Sequence, residues 1–436
     1  MPPLTSPAQD IAGRDAGLIR GIGTWAFAAG IVNGVVGAGI FSLPASMAQA
    51  AGTLAPLAYV ICAVAMAAVV TCFAEAGSRV PTSGGAYGYV EAAFGELPGF
   101  VAGMLIWASS VLACGGIAAA VADALVPAAL WHGLARAAII VGVIGCIAAV
   151  NLNGVRGASR LVAGATAIKL LPLVFFVVAG AFASPAAVAV APAAAHMDFG
   201  RGVILALFAF CGMETVLGAS GEVSDPARTL PRALGGAMLF VLLLYVSIQL
   251  VAQHLLGPAL GNATGLSEAA ERIGPGVGLL LLVGATLSRA AWIGSDILGA
   301  PRLLFAFARD GRLPAMLARL SPGARVPANA ILIHSGLAAA FALAGSFTQL
   351  AVLSTLDTAG LYILGCAAAF VIHRRKLQTA GGSMHLRLLP LASCVGIISM
   401  AALICVAQPV EIFGLFATIV ASALVFWAMG RKNVLF

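Results

Sequence analysis

Hydrophobic positions run along this chain in long blocks separated by short polar segments. Blocks long enough to cross roughly 30 Å of hydrocarbon at about 1.5 Å per residue fall near 21–48, 54–78, 97–124, 134–152, 159–183, 199–220, 230–256, 275–305, 328–345, 350–373, 386–407 and 410–430. The pattern predicts an all-α integral membrane protein with twelve transmembrane helices. The longest connections, near 79–96, 184–198, 257–274 and 306–327, are too short to hold a soluble domain. One membrane domain is therefore expected.

Two blocks contain residues that a plain spanning helix would not carry. The first holds "VVGAGIFSLP" at 35–44. Gly37 and Gly39 leave helical geometry cheaply, while Pro44 fits the first turn of a new helix, with Ser42 as a candidate cap. A break near 37–40 into two half-helices is one reading, and a glycine patch for close helix packing is the other. The sixth block holds "FAFCGMETVLGASGE" at 208–222, with Glu214 one turn after Gly212. An unpaired carboxylate at that depth costs about 2.5 to 3.5 kcal/mol, which implies a partner or a pathway. Interruptions at corresponding positions of two five-helix sets point to an inverted-repeat transporter.

Composition and charge narrow the class further. Apolar residues make up 61% of the 436, charged residues 9%, and mean hydropathy is +1.05, which excludes a soluble domain. With the N-terminus inside, eighteen of the 23 Lys and Arg residues fall in cytoplasmic segments, including Arg156, Arg160 and "HRRK" at 373–376. Three, Arg136, Arg201 and Arg272, fall outside, and Lys169 and Arg289 lie within spans. Both termini are thus expected in the cytoplasm of a cell whose cytoplasmic (inner) membrane holds the chain. The same asymmetry accounts for the net charge of +7, so no nucleic-acid partner is inferred. Residues 1–20 lack a signal-peptide pattern and read as a cytoplasmic tail. The eight cysteines lie inside apolar blocks without C-x-x-C spacing and read as packing residues, with neither disulfide nor metal expected. The six histidines lie mainly in loops or at span ends, without ligand spacing. No nucleophile–base pair, phosphate loop or metal motif is present, so no enzyme and no cofactor is expected.

Four segments, in order, carry a resemblance: "GVVGAGIFSLPASMAQAAG", "RVPTSGGAYGYVEAAFG", "FAFCGMETVLGASGEVSDPARTLPRAL" and "PRLLFAFARDGRLPAMLARL". On these the chain resembles the amino acid-polyamine-organocation (APC) superfamily of secondary transporters, over roughly residues 20–375. The resemblance implies a leucine-transporter-like 5+5 inverted repeat over 21–375, with helices 1 and 6 broken and two further helices and a short tail in 376–436. Substrate would sit at the breaks. The N–H groups of Ala38, Gly39 and Ile40 can receive a substrate carboxylate with help from the helix dipole, and the carbonyls of Val35, Phe208 and Cys211 its ammonium. Gly37 and Gly212 supply the breaks.

The resemblance also implies roles for single side chains. Phe208 matches an aromatic that closes over substrate, and Glu214 an acidic residue of the inner gate that in some members takes part in proton coupling. Lys169, in "TAIKLLPL", matches a span-five lysine that stands where sodium-coupled relatives of the fold hold a cation. Sodium independence is expected, whether Lys169 titrates or acts as a permanently charged brace. Tyr362 matches a gate position, and Trp107 and Trp292 are candidates for shaping the pocket. Asp296 falls at or near a substrate-lining position. It either selects a basic amino acid or polyamine, or is neutralised internally by Arg289 or Lys169; both readings stay open. The expected function is amino acid transport by alternating access, as proton symport, exchange or uniport. A receptor that binds an amino acid without moving it is the alternative. Spans eleven and twelve form a dimer interface in some relatives, which allows a homodimer.

Overall fold

Glycine and proline divide the first apolar block. Helix α1 (Thr24–Val35) ends at Val36, whose φ/ψ of −72°/70° leaves the helical region. After Gly37, a 3₁₀ turn (Ala38–Phe41) leads into α2 (Leu43–Ala51), which has Pro44 in its first turn. The computed structural model describes residues 21–82, 84–126, 132–153, 155–184, 197–321, 324–379 and 384–432. The tail expected over 1–20 and the side chains of Arg156 and Arg160 lie outside the described residues.

The chain continues through α3 (Ala55–Arg79), the short α4 (Gly85–Phe94), α5 (Glu96–Leu125), α6 (His132–Leu152) and α7 (Val155–Phe182). Next come α8 (Phe199–Phe210), α9 (Met213–Leu217), α10 (Pro226–Leu256), α11 (Leu266–Glu271), α12 (Pro275–Gly299) and α13 (Pro301–Arg309). The last four are α14 (Ala328–Ala344), α15 (Phe347–Arg375), α16 (Leu389–Val406) and α17 (Pro409–Lys432). Local chemistry sets several ends. Pro226, Pro275, Pro301 and Pro409 open helices where a missing N–H is harmless. Ser346 and Gln349 form a capping box on α15, which Lys376 closes in the left-handed region at φ 53°. Among the described residues there is no strand; Ile22 and Val223 form one isolated bridge.

Among the described residues, 9 helical segments are long and apolar enough to cross a membrane. Three shorter apolar helices, Thr24–Val35, Lys169–Phe182 and Ala328–Ala344, coincide with the first, fifth and ninth expected spans. The differences have local causes. The break shortens the first helix and α14 has 17 residues, about 26 Å of rise, whereas α7 itself runs nearly the full length of the fifth expected span. The central core joins α1, α3, α8, α10 and α15, and α5 packs along α15. A second core, between α5, α6, α12 and α14, includes Ile144, Ile293 and Ala338. The interrupted segments 35–43 and 208–217 contribute Val35, Ile40, Leu43, Phe210, Met213 and Leu217 to the central core.

Candidate functional site

The two interruptions touch each other. A Cβ on Gly212 would lie 2.6 Å from the Gly34 carbonyl oxygen, and Gly212 has φ +120°, so only glycine fits there. A Cβ on Gly37 would meet the Trp292 indole at 3.0 Å, and one on Gly39 the Phe208 ring at 2.8 Å. The glycines thus let two irregular segments approach each other and two aromatic rings.

Around them is a cavity of about 70 Å³, room for several water-sized groups. Val35, Gly37, Gly39, Ile40, Phe208, Cys211, Gly212, Glu214 and Asp296 all line it. Of the other expected residues, Ala38 opens the 3₁₀ turn, and its side chain lies outside the described set. Tyr362 stands behind Glu214, and Lys169 faces a second cavity of about 300 Å³. The two cavities share Gly34, Gly212, Thr215, Trp292 and Asp296 as walls.

The backbone groups at the breaks are partly used. Gly37 donates its N–H to Val35 O at 2.6 Å, and Tyr245 Oη donates to the same oxygen at 2.9 Å. The Val35 carbonyl, expected to be open, therefore has both lone pairs occupied. Phe208 O accepts from Cys211 N at 3.2 Å. The N–H groups of Ala38, Gly39 and Ile40 head the 3₁₀ turn, where intrahelical bonding leaves the first donors without a partner inside the turn.

The ionisable groups have definite partners. Glu214 reaches back to cap its own short helix: Gly212 N–H donates to its two oxygens at 2.9 and 3.0 Å, and Tyr362 Oη donates at 2.8 Å. Lys169 is buried and donates to Asn33 O at 2.5 Å, so its ammonium sits at the C-terminal end of α1, where helix carbonyls lack partners and the dipole favours a cation. Among the described residues Asp296 pairs with neither Arg289 nor Lys169. Ser110 Oγ donates to its Oδ1, and His334 Nε2 lies 2.8 Å from its Oδ2. Each oxygen thus has one protein partner and keeps a further lone pair, and Asp296 lines both cavities. Arg289 instead donates to Ser42 Oγ at 2.6 Å.

Several residues of the site were missed from sequence. Ser109, bonded to Thr358 at 2.8 Å, and Ser354 join α5 to α15 beside the cavity. Tyr245 and Gly34 carried a signal, a phenol in an apolar block and a third glycine before the break. His334 corrects the reading of the histidines: it is fully buried mid-helix, and its ligand-capable atoms approach those of Asp296 and Cys114. Glu75, His373 and His385 form a second such group, braced by Arg79, which donates to Glu75 at 2.9 Å and to His385 Nδ1 at 2.7 Å. Pairwise spacing along a sequence cannot register sets assembled from distant segments.

Known proteins resemble the chain throughout this architecture. The serine/threonine exchanger SteT of Bacillus subtilis is 26% identical, covering 83% of this chain and 85% of its own. An uncharacterized transporter of Mycobacterium tuberculosis is 29% identical, over 84% and 82%. The vacuolar cationic amino acid transporter 4 of Arabidopsis thaliana is 28% identical, over 78% and 60%. These relatives are transporters and not enzymes. Residues 22–435 match the amino acid permease family, with the interrupted segments inside the match. The chain is a multi-pass membrane protein of the amino acid permease family, within the APC superfamily.

Proposed function

We propose that the chain is a secondary active transporter that carries amino acids by alternating access, within a 5+5 inverted-repeat core over 21–375 followed by two further helices. The observation that carries this reading is the meeting of two interrupted helices at one cavity, with a lysine on the open carbonyl end of the first. Backbone donors with no partner inside their turn suit a carboxylate. Non-helical backbone at membrane depth is tolerated where it lines such a cavity.

In this reading the substrate carboxylate sits on the N–H groups of Ala38, Gly39 and Ile40. Its ammonium meets the Cys211 carbonyl, since Val35 O is already occupied. Phe208, over Gly39, covers the site on one side. Gly34, Gly212, Thr215, Trp292 and Asp296 separate it from the larger cavity, which in this reading is the path to the cytoplasm, with Glu214 and Tyr362 as gate residues beside it. Lys169 fills the place of a coupling cation, so transport needs no sodium and runs by exchange or with protons. The name of the Bacillus relative, an exchanger, supports the first. Both termini are placed in the cytoplasm by the distribution of basic residues. The Ser110 and His334 partners of Asp296 speak against a preference for basic amino acids or polyamines.

Uptake of a labelled amino acid panel into proteoliposomes, with internal solute or an inward proton gradient, tests the reading. Saturable accumulation that persists when sodium is replaced supports it. Saturable binding without uptake under every condition would favour a receptor.

A further inference from the structure

Arg289 is 2% exposed, and a guanidinium keeps its charge in any protein environment. Its hydrogen-bond partners among the described residues are all neutral. Nη2 donates to Ser42 Oγ at 2.6 Å, Nη1 reaches Ala120 O at 3.4 Å, and Nε has no partner among the described residues. The carboxylates that could answer it are committed elsewhere: Asp123 to Arg136 at 2.7 Å, and Asp296, on the same helix, to Ser110 and His334. Asp123, a carboxylate that acts on Arg289 electrostatically, makes its ion pair with Arg136, so the buried guanidinium keeps an open Nε, and within a membrane such a group points to a ligand.

The position says which ligand. Arg289 precedes Trp292 of the smaller cavity's wall by three residues of α12, on the stripe that also carries Asp296. Its partner Ala120 follows the wall residue Ile117 by three residues of α5, and its partner Ser42 lies between the wall residues Ile40 and Leu43. The guanidinium therefore sits about one helical turn, roughly 5 Å, beyond the cavity. The positive end of the nine-residue α2 faces the same place.

We propose that Arg289 receives a second carboxylate of the solute, so that the transported class is the acidic amino acids. This rests on the transport-site reading: the α-carboxylate uses the N–H groups at 38–40, and the side-chain carboxylate meets the planar guanidinium fork, which suits bidentate binding. Glutamate and glutamine are nearly isosteric, so their ratio isolates the charge.

The test is competition binding and thermal stabilisation of the purified full chain with L-glutamate, L-aspartate, L-glutamine and L-asparagine, for the unaltered chain, R289M and R289K. The unaltered chain should bind an acidic amino acid at least about tenfold more tightly than its amide, as loss of one charged hydrogen-bond pair implies. R289M should abolish the preference while amide binding stays within about twofold, and R289K should retain part of it. Amides binding as tightly as acids to the unaltered chain would overturn the proposal, as would an equal loss for every solute in R289M, the mark of a brace. Should R289M fail to fold, the acid-to-amide ratio of the unaltered chain decides. Parallel uptake separates the two readings. Acid-selective binding without uptake refutes transport and keeps the acidic site, whereas uptake of amides and not of acids refutes the acidic site and keeps transport.

Discussion

Replacing Gly212 with alanine should separate the two interrupted segments and stop function. At φ +120° an L-residue is strained by about 1 to 3 kcal/mol before any contact is considered. The new Cβ would lie 2.6 Å from Gly34 O, 2.9 Å from Gly34 C and 3.2 Å from Val35 N. All three atoms are backbone, so no side-chain rotation relieves the overlap, and overpacking adds about 1 to 3 kcal/mol. Ordinary contact distance requires one segment to retreat by most of an ångström, at the place where both line the cavity. The expected result is about 2 to 6 kcal/mol of destabilisation and near-complete loss of uptake. Gly235→Ala is the control. That glycine lies within α10 with nothing inside 4 Å of its Cβ position, so alanine should be neutral or stabilising by up to about 1 kcal/mol. Thermal unfolding in detergent and proteoliposome uptake read both effects. A Gly212→Ala protein with the stability and uptake of its parent would refute the claim that the two breaks pack directly against each other.

Other perturbations follow from the same contacts. Lys169→Met removes the donor to Asn33 O and leaves a buried carbonyl unpaired, a loss of about 1 to 3 kcal/mol; uptake should fall at least tenfold in a rate assay, and added sodium should not restore it. Glu214→Ala strands the Gly212 N–H and the Tyr362 hydroxyl, so its melting temperature should drop below that of Tyr362→Phe, which strands only part of the Glu214 acceptor capacity; a double-mutant cycle should give a coupling of about 0.5 to 3 kcal/mol. Asp296→Asn should leave the ranking of basic against neutral amino acids unchanged in competition assays, because the carboxylate faces His334 and Ser110.

The positions of the helices were legible because a membrane leaves little choice: an apolar block of sufficient length must be a helix, and its ends can be read from prolines and charges. The break at Val36–Gly37 was legible for a related reason. Glycines and a proline at these spacings have few uses inside a spanning helix, and Pro44 does stand in the first turn of α2. Glu214 and Lys169 stood out as charges where charges are unfavourable, and each was found with a neutral partner of the backbone. The partners themselves were not legible. That Tyr245 occupies the Val35 carbonyl, or that His334 of α14 meets Asp296 of α12, depends on how distant helices pack, and sequence spacing carries no record of it. Arg289 and Asp296 share a helix face, which made their pairing one of the readings left open. The guanidinium instead points toward Ser42 and the carboxylate toward α5 and α14.

The central claim is that the two broken helices hold an amino acid and pass it across the membrane. It is tested most directly by counterflow: proteoliposomes preloaded with unlabelled amino acid are diluted into trace label, in sodium-free medium. The account predicts transient accumulation of label above equilibrium for the unaltered chain, and none for Gly212→Ala. Absence of accumulation for every amino acid in vesicles whose protein still binds one saturably would contradict it.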